Sequence, residues 1–250
     1  MLDALIWDVD GTMAETERDG HLVAFNQAFE AQGLPWRWSE ARYAELLRVT
    51  GGRERLHHDL ATQPDAPADP LARDALVQAL HVGIVAQGGI PLRPGVLRLM
   101  REAAAAGVRL AIATTTSRVN LDALLSAQLG TDWRRHFAAV VCGEDAPVKK
   151  PDPQVYLRCL EQLDLDAEEA IAIEDSVNGL IAAAAAGIAT LVTRSVFFAA
   201  SGYPGALAVC DDLEHPAAPS PRIPGAQPAR VDLARLRDWH AGWWRQKEAA

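Results

Sequence analysis

The chain has 250 residues, 49% of them hydrophobic and 23% charged, and a formal net charge of −9. That hydrophobic share supports a buried core and excludes a disordered chain, and the length fits one large domain or a core with a smaller insert. The acidic balance excludes a surface built for nucleic acid, whose phosphates demand a basic face, but it is compatible with a phosphorylated small molecule held by a few cations in a cleft.

Residues 4–7, Ala-Leu-Ile-Trp, form a short unbroken apolar run, the pattern of a strand buried on both faces. The run stops at Asp8-Val9-Asp10-Gly11-Thr12. From Glu15 to about Ile90 the spacing becomes helical, with Leu22, Phe25, Phe29, Leu46, Leu47, Leu56 and Leu60 on apolar faces and Pro64, Pro67 and Pro70 separating helices. After Pro91-Leu92-Arg93-Pro94-Gly95 the strand–helix rhythm resumes. A helix over 96–106 stops at Gly107, and a strand over 108–113 ends in Thr114-Thr115-Thr116-Ser117. A weaker strand over 138–142 precedes a helix over 153–163. A strand over 170–173 ends in Glu174-Asp175-Ser176, a helix over 177–186 stops at Gly187, and a weaker strand covers 189–192.

Strands alternating with helices predict an α/β fold with a parallel sheet. The expected organisation is a core of residues 1–14 and 91–212, a helical lid of residues 15–90 inserted after the first strand, and a tail of residues 213–250. In the tail, the proline-rich stretch 216–228 reads as an irregular connector. Helical spacing returns over 231–247, where Trp239, Trp243 and Trp244 read as docked core or an interface rather than a ligand box.

Cys142, Cys159 and Cys210 have no metal-ligand spacing and form no even disulfide set, so they read as small core hydrophobes in a reducing compartment. The start carries Asp3, Asp8 and Asp10 where a signal peptide needs a basic start and a longer apolar stretch. No window approaches the ~18 consecutive apolar residues of a spanning helix. The expected setting is therefore the cytoplasm, or a stroma if the gene is nuclear, with no membrane or nucleic-acid partner; a monomer is expected.

In open parallel sheets ligands sit beyond the carboxyl ends of the strands, and every polar cluster named above lies at such an end. Asp8 and Asp10 in one small cleft would repel each other without a hard cation, and oxygen-rich sites of this kind suit magnesium beside a phosphate. Glu174-Asp175 supplies further acidic ligands. Lys150 can offset the charge of a transferring phosphoryl group, and the Thr114 hydroxyl with the backbone donors after it can hold the same oxygens. Singly, each has a plainer explanation: an Asp turn former, a solvated Lys149-Lys150 pair, a helix-capping cluster over 114–117. Their order is what is specific.

Asp8-Val9-Asp10-Gly11-Thr12, then Thr114, then Lys150-Pro151, then Glu174-Asp175-Ser176 resembles the four motifs of the haloacid dehalogenase superfamily, phosphatase branch, and the insert resembles its helical-cap subclass. The resemblance covers roughly residues 2–212. It implies a Rossmann-like core, one magnesium ion, Asp8 as nucleophile and Asp10 as general acid/base. Asp8, the Asp10 carbonyl and Asp175 would ligate the metal, with Glu174 behind them. Dehalogenase members lack the second Asp, so Asp10 argues against carbon–halogen hydrolysis. Trp7 stands where Phe is commoner, which should matter only to packing.

A closer resemblance is to the CbbY-like phosphatases, which act on xylulose 1,5-bisphosphate. It rests on Ala14-Glu15-Thr16-Glu17 with His21, Ala24-Phe25-Asn26, Thr50-Gly51-Gly52-Arg53-Glu54-Arg55, Ala113 to Ser117, and Glu174 to Gly179. It implies substrate contacts from Glu17, His21, Thr50, Gly51, Gly52, Arg53, Arg55, Thr115, Thr116, Ser117 and Asn178. Arg53 and Arg55 place two cations on the lid, where a second phosphate would want them; the plainer reading is a Gly turn before a basic helix face. Between Glu17 and His21 the chain carries one residue more than the family pattern. The alternatives are a β-phosphoglucomutase-type sugar phosphomutase, which shares motifs and cap, and an inactive sugar-phosphate sensor. No catalytic position is substituted, which speaks against the sensor.

Overall fold

A strand that is apolar along its whole length needs cover on both faces, and the sheet supplies it. Residues 1–83, 89–223 and 225–248 are described by a computed structural model. Six strands, β1 (Ala4–Trp7), β2 (Arg109–Ala113), β3 (Ala139–Val141), β4 (Ala170–Glu174), β5 (Ala189–Thr193) and β6 (Ala208–Cys210), run parallel in the order β3-β2-β1-β4-β5-β6. The pleat sends Leu5 and Trp7 of β1 to one face and Ala4 and Ile6 to the other.

Between residues 17 and 83 the described chain is helical. A π-helical turn (Glu17–His21) leads into α1 (Leu22–Ala31), followed by α2 (Glu40–Leu46), α3 (Gly52–Leu60) and α4 (Pro70–Gly83). Phe25, Phe29, Trp38, Tyr43, Leu56 and Val77 build a hydrophobic cluster separate from those of the sheet. The two crossings between lid and sheet are stitched by Arg93. Its backbone N–H donates to Met13 O, and its guanidinium donates to the carbonyls of Gly11, Thr193, Arg194 and Asp211. A buried cation so placed costs little, because carbonyl dipoles and Glu15, 3.2 Å away, replace its water.

In the remainder, α5 (Val96–Ala105) and α9 (Leu233–Glu248) cover the Leu5–Trp7 face. The helices α7 (Gln154–Leu163) and α8 (Val177–Ala185) cover the other, where Ala111, Ala113, Ala170 and Ala172 let them approach closely. The helix α6 (Arg118–Leu129) joins β2 to the chain before β3 and was not anticipated, although Ser117 caps it by accepting from the Asn120 N–H.

Two readings of the tail meet different outcomes. Trp239 is buried and Trp243 packs against the main core, so that part of the stripe is docked core; Trp244 is half-buried and donates to His240 Nε2. The connector expected to be irregular instead begins with β7 (Pro216–Pro219), antiparallel to β6, and β8 (Ala229–Arg230), antiparallel to β7, follows it directly. Proline lacks a ladder N–H but is tolerated near sheet edges, and Pro216 and Pro219 stand at the ends of their strand. Residues 84–88 of the expected lid, Pro224 of the connector and residues 249–250 of the tail lie outside the described residues. No described helix is long and apolar enough to cross a membrane. The three cysteines are buried and free, as read.

Candidate active site

The carboxyl ends of β1, β2 and β4 open into a cavity of about 750 Å³ between sheet and lid. Asp8 leaves β1 with its backbone N–H on Ile173 O of β4, 3.0 Å away. Both oxygens of its buried carboxylate are engaged: Lys150 Nζ donates to Oδ1 at 2.7 Å and Thr12 Oγ1 to Oδ2 at 3.1 Å. The turn that follows needs Gly11, whose φ is +80° and at which a Cβ would lie 2.2 Å from Asp175 Oδ2.

Asp8, Glu174 and Asp175 are buried and each offers an oxygen within 4.8 Å of the others. Lys150 is the cation among them; its ammonium also donates to Glu174 Oε1 at 2.6 Å and to Ala113 O at 3.0 Å. One positive charge does not balance three acids. Burial pushes the Asp8 carboxyl up to about 8, although Lys150 works to lower it. Asp175 is pushed well above the carboxylate range by burial and then by Asp8 and Glu174. Lys150 rises above the ordinary lysine range, because attraction to Asp8 and Glu174 outweighs its own burial. The Asp8 and Lys150 shifts pull in opposite senses for one ion pair. The shared direction is a pocket short of positive charge, and a hard divalent cation among these oxygens would meet that shortage.

Asp10 lines the same cavity and is held by a different set of partners. Its Oδ1 accepts from Thr16 Oγ1 at 2.6 Å and lies 3.1 Å from His21 Nε2. Burial alone would raise Asp10 and lower His21, but their mutual attraction wins at both, leaving Asp10 below and His21 above its usual value. The segment between Glu17 and His21, where an extra residue was expected, is a π-helical turn closed by Leu22 N–H on Glu17 O. A wider turn absorbs one residue without unwinding its neighbours, and His21 still reaches Asp10.

On the lid, Arg55 is buried and committed: Nη1 donates to Tyr43 Oη at 2.6 Å and lies 3.4 Å from Glu17 Oε2, while Tyr43 also donates to Glu17. Arg53 is exposed, lines the cavity and has no hydrogen-bonding or ionic partner among the described residues. Asn178 at the start of α8 donates to Thr50 Oγ1 at 3.0 Å and Arg48 O at 3.3 Å, tying α8 to the chain between α2 and α3.

The cavity wall brings together Asp8, Asp10, Glu17, His21, Thr50, Gly51, Gly52, Arg53, Arg55, Thr115, Thr116, Ser117, Lys150, Asp175 and Asn178. Thr114 and Glu174 stand behind it. Both are buried, and the Thr114 hydroxyl accepts from the Thr116 N–H at 3.2 Å. Sequence reasoning did not single out Ser195, whose Oγ donates to Asp175 Oδ2 at 2.5 Å, nor Tyr43, Lys149 or Tyr156. Ser195 had one signal, its place just beyond a strand end, and Lys149 had its place beside Lys150; the two tyrosines had none.

The sequence pattern of haloacid dehalogenase-like hydrolases matches residues 2–187. The plasmid CbbY protein of Cupriavidus necator is 49% identical over 96% of this chain and 98% of its own length. A crystal structure of a mutant CbbY from Rhodobacter sphaeroides in complex with xylulose 1,5-bisphosphate superposes with a TM-score of 0.78, at 40% identity over 85% of this chain and 95% of that one. A β-phosphoglucomutase from Clostridium difficile, 14% identical over 98% of this chain and 100% of its own, shares the fold with a TM-score of 0.72. The chain belongs to the haloacid dehalogenase-like hydrolases, on their CbbY-like phosphatase branch.

Proposed function

We propose that the chain is a magnesium-dependent phosphatase that moves a phosphoryl group from a small sugar bisphosphate, best matched by xylulose 1,5-bisphosphate, first to Asp8 and then to water. The observation that carries this reading is the Asp8 carboxylate, fixed at both oxygens by Lys150 and Thr12 on the floor of a cavity where three clustered acids, Asp8, Glu174 and Asp175, have one lysine among them. Asp8, Asp175 and the Asp10 main-chain carbonyl are the groups proposed to hold magnesium, with Glu174 behind them. When bound, the ion neutralises phosphoryl oxygens and carboxylates together.

Asp8 attacks phosphorus in line with the ester oxygen, whose bond to phosphorus breaks. The Asp10–His21 pair holds a proton that rests on His21, and its delivery through Asp10 converts the leaving alkoxide to an alcohol. In the second half, Asp10 accepts a proton from the water that attacks the aspartyl-phosphate. Lys150 stabilises charge on the transferring oxygens in both halves.

The test is hydrolysis of a panel of sugar phosphates, including β-glucose 1-phosphate, with xylulose 1,5-bisphosphate expected to give the highest kcat/KM. Chelation is expected to silence every substrate and added magnesium to restore them. Full activity after exhaustive dialysis against a chelator rules out the metal-dependent reading, and preference for β-glucose 1-phosphate with a phosphorylated product points to a mutase.

The two lid arginines differ in what they can give a second phosphate. Removing Arg55 would take the cation from a half-buried Glu17 and the donor from Tyr43, so its loss disturbs the helices around it. Arg53 is unspent, and Arg53→Ala is expected to remove one charge-assisted contact, about 1.5–3 kcal/mol or roughly tenfold to 150-fold in kcat/KM on the bisphosphate. Hydrolysis of p-nitrophenyl phosphate, which has no second phosphate, should stay near wild type. Equal losses on both substrates would remove the support for a bisphosphate.

A further inference from the structure

Glu174 is held in one orientation by its surroundings. Its Oε2 lies 3.2 Å from the Asp175 N–H, and its carboxylate rests against Gly179, where a Cβ would come within 1.9–2.2 Å of the carboxylate atoms. Its Oε1 accepts from two donors, Lys150 Nζ at 2.6 Å and Tyr156 Oη at 2.5 Å. Tyr156 lies in the first turn of α7, fully buried, and its ring centroid is 5.0 Å from the same ammonium.

An ammonium has three N–H bonds, and those of Lys150 are taken by Asp8 Oδ1, Glu174 Oε1 and Ala113 O. To reach a transferring phosphoryl oxygen it must loosen one of them. Oε1 of Glu174 can release Lys150 at low cost only if another donor stays on it, and the Tyr156 hydroxyl is that donor. A phenol is protonated across the neutral range and donates without adding charge.

On the phosphatase reading above, we propose that Tyr156 is a positioning residue for Lys150, acting through Glu174. The phenol holds Glu174 while its ring steers the ammonium, so Lys150 can turn from Glu174 toward the phosphoryl group and back.

The experiment is steady-state hydrolysis of p-nitrophenyl phosphate and of a sugar phosphate by the full chain with magnesium, comparing wild type, Tyr156→Phe, Glu174→Gln and the double variant. Phe keeps the ring and the packing and removes only the hydroxyl. Tyr156→Phe should lower kcat about tenfold on both substrates with KM within about twofold and little change in Tm. In the Glu174→Gln background the same change should cost nothing further, because the group it acts through is already altered. Unchanged kcat in Tyr156→Phe overturns the proposal, as does an equal proportional loss in both backgrounds. A rise in KM with kcat intact, or a loss that follows Tm, assigns Tyr156 to packing and overturns it too. If wild type itself hydrolyses no phosphate monoester, the phosphatase reading fails, an outcome separable from failure of the Tyr156 role alone.

Discussion

Asp8→Asn should abolish turnover, by more than about a thousandfold in kcat, while leaving the fold intact. A carboxamide cannot become the acyl phosphate, so loss of the proposed nucleophile is not a matter of degree. The change is nearly isosteric, and the Asn oxygen can accept either from Lys150 or from Thr12, which now hold the two Asp8 oxygens. Stability should not suffer in the metal-free protein. Asp8 is buried beside Glu174 and Asp10, and burial has pushed its carboxyl up to about 8, so the folded state bears a cost for the ionised form that Asn removes. The expected result is a dead enzyme with an equal or higher Tm in chelator. Activity above about one per cent of wild type in a pure preparation, unexplained by deamidation, would sink the covalent mechanism.

The site was legible in the sequence to the extent that strand ends were legible. The parallel strands β1, β2 and β4 are covered on both faces and so read as unbroken apolar runs, and the polar residues that end each run mark the carboxyl edge of the sheet. That places Asp8, Thr114 and Glu174-Asp175 near one another before any contact is known. The strands that escaped notice, β6, β7 and β8, are two to four residues long, and β7 is bounded by prolines. Such strands exist through pairing with a neighbour, and local pattern carries little trace of it.

The side chains that brace the site escaped for a related reason. Tyr156 meets Glu174 across 18 positions of chain, Ser195 meets Asp175 across 20 and Tyr43 meets Glu17 across 26. Nothing in the residues flanking Tyr43 or Tyr156 separates them from ordinary buried aromatics. The same limit applies to Arg53 and Arg55, which look equivalent on a helix that starts at Gly52. They lie two positions apart and therefore point to different sides of α3. One meets Tyr43 and Glu17, and the other is left at the cavity.

Lys150→Met should be the most damaging single change after Asp8→Asn, and its two effects can be separated by pH. In catalysis the variant loses the charge opposite the transferring phosphoryl oxygens, with kcat expected to fall about 10²–10³-fold. In folding, Asp8 Oδ1, Glu174 Oε1 and Ala113 O lose a shared donor inside a buried site. Breaking such a pair leaves uncompensated acids, at a cost of about 3–5 kcal/mol. Asp8 already has a raised folded pKa of about 8, and Lys150 is one of the influences holding it that low. A raised acid lends stability below its unfolded pKa and loses it as pH climbs to the folded value. Without Lys150 the folded value moves up, so the variant goes on losing stability above about pH 8, where wild type has levelled off. In chelator, the Tm gap between the two proteins should therefore stay level below about pH 7 and widen from about pH 8 to about pH 9.5. Magnesium should narrow the gap, since a divalent cation among the same oxygens supplies part of the missing charge. A gap that stays constant with pH, together with kcat within tenfold of wild type, would show that Lys150 is neither the counter-charge of these acids nor part of the reaction.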